Sequence, residues 1–372
     1  MPPVRYHAGQ FPPKTIDWER LIPLIGPASA AVARYEGVLE AVPNPDVLLS
    51  PLTTNEAVLS SRIEGTQATL GEVLEFEAAG EQSEASGEKR ADINEVLNYR
   101  AALYDAVAAL ETLPLSQRVV RDAHRRLMRG VRGDSKAPGE YRRTPVWLGA
   151  ARSPIEAARF VPIAADGVPG AMSEWERYLH EDAPDRLVQL AFAHAEFEAI
   201  HPFLDGNGRI GRLLIPLFLV EKKILGRPTF YMSGYLEAHR DEYYDKLLAV
   251  SKDGDWTGWA AFFLAAVKDQ ADENGAKARA ILELYRREKE WITRATRSQH
   301  AIAALDWVFS RPVFSTSDFL SSARIPKAAA KRILSIARTE GRLRELRPAS
   351  GRRAAILAFP GLLNIAEGRE VF

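Results

Sequence analysis

An all-α fold with one short β-hairpin is what the sequence predicts, on three observations. Apolar residues recur at three- and four-residue spacing through much of residues 17–130. The same spacing returns from Met172 and continues to Arg287. Between these runs only residues 138–170 shorten into extended pieces rich in Gly, Pro and Ser. The 372 residues, 46% hydrophobic and 26% charged, suit a globular protein of two or three domains with ample core. With no Cys, disulfides, thiolate zinc sites, iron–sulfur clusters and cysteine nucleophiles are excluded together. Lys+Arg and Asp+Glu balance at 49 each, which argues against attraction of the whole chain to nucleic acid or anionic membrane. The longest apolar run, Trp259 to Val267, is nine residues, against the roughly 20 that a membrane helix needs. Residues 1–10 lack the apolar centre of a signal peptide. The expectation is a cytoplasmic protein.

Taken in order, Ala30 to Ala41, Glu95 to Glu111 and Ser116 to Arg129 read as amphipathic helices. Thr53 and Glu56 predict a capping box opening a helix that stops at Gly65. The polar stretch from Glu77 to Ala91 predicts an exposed loop. Thr144–Gly149 and Arg159–Ile163 predict the two arms of a hairpin. Helices then cover Met172 onward, Phe192–Ile200, Leu213–Lys223, Glu237–Val250 and Trp256–Arg287. After Arg297 the composition shifts. His300–Phe309, a Ser315-capped helix ending near Ala323, and Lys327–Glu340 closed by Gly341 give three short helices. Extended pieces at Arg342–Leu346 and Ala354–Phe359 follow, and this order is that of a winged helix-turn-helix. Consecutive domains are therefore expected at 1–112, 113–290 and 291–372.

One segment carries the chemistry: His201-Pro202-Phe203-Leu204-Asp205-Gly206-Asn207-Gly208-Arg209-Ile210-Gly211-Arg212. A polar, glycine-rich turn between two apolar helices costs packing, which points to a use other than packing. Gly206 and Gly208 allow close backbone approach, and successive N–H groups there can form an anion nest opening onto a helix N-terminus. Arg209 and Arg212, three apart, share a face of the first helical turn and suit a polyphosphate. Asp205 is a hard oxygen ligand fit for Mg²⁺ beside phosphate oxygens. His201 can act as a general base near neutral pH. Each feature alone is usually a turn or a solvated surface; together within twelve residues they favour phosphate chemistry.

This segment resembles the Fic signature, His-x-Phe-x-Asp/Glu-Gly-Asn-Gly-Arg-x-x-Arg, at every specified position, with similarity extending over about residues 30–270. The resemblance implies a helical Fic (Fido) core that moves AMP from ATP to a Ser, Thr or Tyr hydroxyl of a protein target, itself included. It implies His201 as the base and Asp205 as the ligand of Mg²⁺. Asp205, Gly206, Asn207, Gly208, Arg209, Ile210, Gly211 and Arg212 would bind ATP. Gly208 is not Lys, and Arg212 is intact, which favours AMP transfer over the phosphotransferase branch.

Upstream, Ser60-x-x-x-Glu64-Gly65 resembles the family's inhibitory motif. Glu64 would sit in the last turn of its helix, where the dipole disfavours a carboxylate by roughly 0.3–1 kcal/mol. The resemblance pairs Glu64 with Arg212, obstructing placement of the ATP γ-phosphate, with Ser60 packing near the same site. Tyr243 and Tyr244 diverge by about 100° on their helix, and by resemblance they border the adenine, with Ser251 as a polar neighbour. Phe160, Val161 and Pro162 resemble the flap that pairs edge-on with the target, although Ile163 replaces a family Pro.

From Ser298 onward there are 12 Lys+Arg and 6 Asp+Glu, net +6, so the neutral total conceals a basic tail. Lys327, Lys331, Arg332 and Arg338 on the third helix, with Arg352 and Arg353 in the wing, suit DNA phosphates. Winged helices also serve as protein-docking or dimerisation modules, so protein contact or a homodimer suits the same module. Two other functions use the same residues: same-site removal of AMP with Glu64 positioning water, and an ATP-sensing DNA-binding regulator, which would not need His201.

Overall fold

In a computed structural model, residues 2–80, 83, 85–150 and 154–372 are described. In chain order the elements are β1 (Val4–Arg5), α1 (Trp18–Ala41), α2 (Pro45–Leu48), α3 (Ser50–Ile63), α4 (Leu70–Ala79), α5 (Gly87–Leu110) and α6 (Gln117–Leu127). Then come β2 (Phe160–Val161), α7 (Val168–His180), α8 (Arg186–Ile200), α9 (Asn207–Glu221), α10 (Ser233–Ala238), α11 (Arg240–Asp253) and α12 (Trp256–Thr296). The last are α13 (Ala301–Ser310), β3 (Val313–Ser315), α14 (Thr316–Ser322), α15 (Lys327–Thr339), β4 (Arg344–Arg347), β5 (Ile356–Ala358) and α16 (Pro360–Glu367). The fold is thus mainly helical, as the periodicity predicts.

Several local expectations change. The capping box falls at Thr69 and Glu72, which open α4 with reciprocal bonds between side chain and backbone. Thr53 and Glu56 instead lie within α3, which starts at Ser50 and buries both of them. Tertiary burial extends that helix past a plausible local start. The expected loop at 77–91 is shorter, because α4 runs to Ala79 and α5 begins at Gly87; Glu81, Gln82 and Glu84 lie outside the described residues. The hairpin at 144–163 narrows to a single antiparallel bridge, Leu148 with Phe160. The fuller pairing of β2 is parallel and with β1, Val4 opposite Phe160 and Arg5 opposite Val161. Residues 151–153, between the two arms, lie outside the described residues.

The chain forms two compact units, each gathering segments far apart in sequence, whereas the composition along the chain predicts consecutive domains with boundaries at 112 and 290. One unit comprises Met1–Glu36, Leu59–Gly65 and Asn98–Asp272. Its centre is α8, against which α7, α9 and α11 pack. Thirteen of its fifteen residues are buried, each large apolar side chain contributing roughly 1.5–3 kcal/mol. Indole N–H groups are satisfied on α8 itself: Trp175 donates to Ala193 O at 2.8 Å and Trp259 to Ala191 O at 2.6 Å. The other unit comprises Gly37–Val58, Thr66–Leu97 and Glu273–Phe372. Within it an antiparallel sheet runs β3-β5-β4, Val313 opposite Ala358 and Arg344 opposite Ala358. α4 packs on β3, and α13 packs on α2. Trp307 meets Phe314 and Phe319 edge-on at about 5 Å. Ser315 caps α14 by accepting from Asp318 N at 3.1 Å, as its position before the helix predicts.

Candidate active site

His201 is the cap residue of α8 and adopts φ +50°, a left-handed conformation. A β-carbon makes this conformation unfavourable by about 1–2 kcal/mol, so the surroundings must hold it. Its Nδ1 faces Glu198 O at 3.4 Å, and its own carbonyl accepts from Arg142 Nε at 2.8 Å. Burial holds the imidazole pKa down to about 4, against the raising effects of the Glu198 carbonyl and the Glu64 charge. His201 is therefore neutral at physiological pH, and an Nδ1–H donated to Glu198 leaves Nε2 as the lone-pair acceptor.

The loop after His201 is locked by its own residues. Asn207 accepts from Phe203 N at 2.8 Å and donates to Phe203 O at 2.9 Å, closing a ring around the turn. Gly206 sits at φ +76°, and a Cβ there would meet Met128 Sδ at 2.9 Å, so both backbone shape and space require glycine. Ile210 and Gly211 are buried in α9, and a Cβ on Gly211 would overlap Glu198 Oε1. His124, stacked on Phe203 with centroids 3.7 Å apart, accepts from Gly139 N and donates to Asp205 O at 2.9 Å. Burial lowers its pKa to about 4, so it remains a neutral strut.

Asp205 projects a carboxylate whose Oδ1 accepts from Gly206 N at 2.7 Å and whose Oδ2 meets Lys136 Nζ at 2.7 Å. Arg209, buried, approaches Oδ1 at 3.6 Å. Burial opposes ionisation, but the Lys136 bond and the charges of Lys136 and Arg209 hold the carboxyl below its usual range. Among the described residues no three His, Asp or Glu gather into a cation cage. A single ionised, cation-facing carboxylate at a helix N-terminus fits Mg²⁺, which takes one or two carboxylates and phosphate oxygens.

Arg212 is 1% exposed and is held through Nε and one terminal nitrogen by the end of α3 and by Glu64 just beyond it. Its Nε donates to Ser60 Oγ at 3.0 Å, and one terminal nitrogen donates to Ser60 O at 2.9 Å and Glu64 Oε1 at 2.7 Å. Gly65 ends this segment at φ +100°, as a C-terminal glycine should. Burial disfavours the Glu64 charge, yet Arg212, Arg209 and His201 lower its pKa, so the pair is ionised. A Cβ on Gly208 would overlap Glu64 Oε1.

A cavity of about 650 Å³ opens here, walled by Glu64, Glu198, His201, Gly208 and Arg212 on one side. Tyr243, Tyr244, Leu247 and Leu248 form another wall, and Trp147–Ala150 with Arg159 and Phe160 a third. The tyrosines split as helix geometry requires: Tyr243 is buried and Tyr244 half-buried, and both reach the cavity. His194 fixes Tyr243. Its Nδ1–H donates to Gly211 O at 3.1 Å, and Nε2 accepts from the Tyr243 hydroxyl at 2.9 Å. Burial and Arg212 hold its pKa near 3.

Other expected residues fall elsewhere. Ser251 is not in the cavity wall; its hydroxyl is 2.7 Å from His7 Nδ1. Of the flap residues only Phe160 lines the cavity, while Val161 pairs with Arg5 and Pro162 is buried. His124, Lys136, Arg142, His194 and Glu198 were missed by sequence reasoning. His194 and Glu198 lie in an apolar helix and His124 on an apolar face, where core packing is the ordinary reading. Arg142 sits in a loop with no periodicity. Glu198 is distinctive: burial raises its pKa to about 7, countered by Arg212 and aided by Glu64, and its Oε1 has no hydrogen-bond partner among the described residues.

Residues 22–108 match the family model Fic/DOC family N-terminal, and residues 114–219 match Fic/DOC family. Protein adenylyltransferase Fic of Drosophila grimshawi is 28% identical over 217 residues, 56% of this chain and 40% of that protein. The Drosophila persimilis protein of the same name is 27% identical over the same length and 38% of its own. The chain thus spans about two fifths of these relatives. A Fic family protein from Desulfovibrio desulfuricans G20 superposes with TM-score 0.59 at 22% identity, over 94% of this chain and 98% of that one. A Fic domain containing signaling protein from Bacteroides thetaiotaomicron gives 0.56 at 17% identity, over 69% and 97%. With its signature loop, helical fold and matching segments in agreement, the chain belongs to the Fic/DOC family.

Proposed function

We propose that this protein is an adenylyltransferase that moves AMP from ATP to a Ser, Thr or Tyr hydroxyl of a protein target, and that Glu64 restrains it. The observation that carries this reading is a single cavity walled by a neutral His201 and by an Arg212 already held by Glu64. The acceptor oxygen attacks the α-phosphorus, its proton passes to His201 Nε2, and the bond to the β-phosphate bridging oxygen breaks to release diphosphate. The turn at Gly206–Gly208 brings the N–H donors of Asn207, Gly208 and the N-terminus of α9 to the phosphates, and Arg209 and Arg212 offer charge. A Mg²⁺ ion held at Asp205 would neutralise phosphate charge and orient the leaving group. Tyr243, Tyr244, Leu247 and Leu248 suit the flat, apolar adenine. Positioning and charge neutralisation supply most of the catalysis in such transfers.

The geometry at Arg212 supports the brake. A γ-phosphate cannot share the Arg212 nitrogen that Glu64 occupies at 2.7 Å. In transfer from labelled ATP, Glu64→Gly is expected to raise labelling by about tenfold or more, a barrier change of at least about 1.4 kcal/mol. Adding His201→Ala to that variant removes the labelling. Equal labelling of wild type and Glu64→Gly defeats the brake, and undiminished labelling after His201→Ala defeats the base.

A second reading, removal of AMP at the same site, draws on Glu64 itself, whose partly exposed carboxylate faces the same cavity as His201 and could position a water. Release of AMP from a modified protein by wild type, and its loss in Glu64→Gly, identifies that activity. The carboxy-terminal segment 291–372 we read as a winged-helix module for DNA or protein contact, on its helices α13, α14 and α15 and a three-stranded antiparallel sheet, with α16 following. Its use as a homodimer contact is a further reading. The cysteine-free composition supports a cytoplasmic setting.

A further inference from the structure

We propose that Arg142 is a positioning residue that ties the base His201 and the root of the flap into one unit; the proposal rests on the adenylyl-transfer reading. Arg142 is 3% exposed, yet none of its hydrogen bonds goes to a carboxylate among the described residues. Its guanidinium donates to backbone carbonyls only: His201 O at 2.8 Å, Ile200 O at 3.2 Å, Thr144 O at 3.4 Å, and Ile163 O. Its own N–H donates to Pro202 O at 2.9 Å.

These acceptors define what the residue does. Ile200 and His201 end α8, where the last carbonyls of a helix lack intrahelical partners and a cation is favoured by the dipole. Thr144 begins the first flap arm, and Ile163 lies just beyond β2. One planar fork therefore spans the helix end that carries the base and both roots of the arms that wall the acceptor side of the cavity. A guanidinium has five N–H donors in fixed directions, whereas an ammonium has three on one atom and cannot reach this set. The left-handed φ of His201 persists only if the surroundings over-determine it. Carbonyls clamped on both sides of its peptide plane do that.

The charge of Arg142 also acts on the base. His201 is faced by the Glu198 carbonyl and the carboxylates of Glu64 and Asp205, which favour its protonation, and by Arg142, which with burial opposes it. Arg142 thus supports a neutral imidazole as well as its orientation.

The test uses the full chain in the Glu64→Gly background, comparing Arg142 with Arg142→Lys and Arg142→Gln. Transfer from ATP is measured as kcat and KM across pH, and the His201 imidazole is titrated by NMR, its signal assigned by loss in His201→Ala. Arg142→Lys keeps the charge but not the fork, so kcat should fall about a hundredfold with KM for ATP nearly unchanged, and the His201 titration should stay in place. Arg142→Gln should show the same loss of kcat and, in addition, move the His201 titration to higher pH. Arg142→Lys within about threefold of its parent overturns the proposal, as does equal loss of ATP binding and turnover, which marks a merely structural residue. An unmoved His201 titration in Arg142→Gln overturns the electrostatic part; if that variant does not fold, the lysine variant decides. Should the Glu64→Gly parent itself transfer nothing, the adenylyl-transfer reading fails while the NMR comparison still judges Arg142.

Discussion

Glu198 shows how a single carboxyl can be set by what surrounds it rather than by its own chemistry. It lies one turn before His201 and offers its carbonyl to the base, and burial raises its side chain to a pKa near 7, with the Arg212 charge opposing and the Glu64 charge adding to the rise. Because the folded pKa exceeds the usual 4.5, the neutral form is favoured in the native state. The stability this brings is complete below about 4.5 and is lost as pH rises towards 7. Glu198→Gln removes the titration, so its Tm should match wild type near pH 4.5 and exceed it by about 2–4 °C at pH 8. Parallel Tm–pH curves would contradict this. Glu64 behaves in the opposite sense: its folded pKa is lowered, so the stability of the ion pair is present above the ordinary carboxyl range and is lost as pH falls below it. Physiological pH changes alone should not release it.

At the scale of elements, β1 changes how the flap must be understood. Strand addition needs an open edge, yet Val4–Arg5 already pairs with Phe160–Val161, and Tyr6 N donates to Val161 O at 3.0 Å. The strand is anchored just beyond the pairing. Tyr6 donates to Glu196 Oε1 at 2.7 Å, and His7 Nε2 lies 2.8 Å from Oε2, the carboxylate being 1% exposed. Any target segment added to the flap would therefore use the arm around Trp147, which is 41% exposed and lines the cavity. Removing residues 1–10 should leave Glu196 buried without these two partners, destabilising the fold by about 3–5 kcal/mol. Denaturant melts would read this, and an unchanged midpoint would show the strand to be dispensable. Nothing in the first ten residues signalled this. Their partners are a backbone edge and a carboxylate inside a helix that reads as apolar core.

On the scale of the whole molecule, the neutral charge sum is a poor guide to its parts. The basic helix and wing expected to meet DNA spend several of their cations internally. Arg332 donates to Thr296 O, Arg338 to Glu345, and Arg342 to Glu288. Arg332 and Arg338 nonetheless remain exposed, as do Lys327, Lys331 and Arg352. DNA binding by the full chain should then show a salt slope of about −3 to −4, near −0.9 for each phosphate contacted. A slope near zero, or no shift in a gel, removes DNA as the partner and leaves protein docking.

The sequence by itself determined the helical class, the capped helices of the tail and the loop from His201 to Arg212. Those features are local: periodicity, turn glycines and a nest with its charged neighbours lie within a few residues of one another. It also marked Ser60 and Glu64, though only through resemblance, since their pairing with Arg212 crosses about 150 positions. Tertiary structure alone decided the rest. It extended α3 past its apparent cap, turned a hairpin arm towards the amino-terminal strand, and placed Ser251 on His7 instead of in the cavity. It also assembled His124, Arg142 and His194 around the loop. Each of these three bonds to backbone carbonyls, at Asp205, His201 and Gly211 among others. A carbonyl is the same at every residue and leaves no pattern in the sequence, so only the folded path of the chain reveals which one a side chain meets.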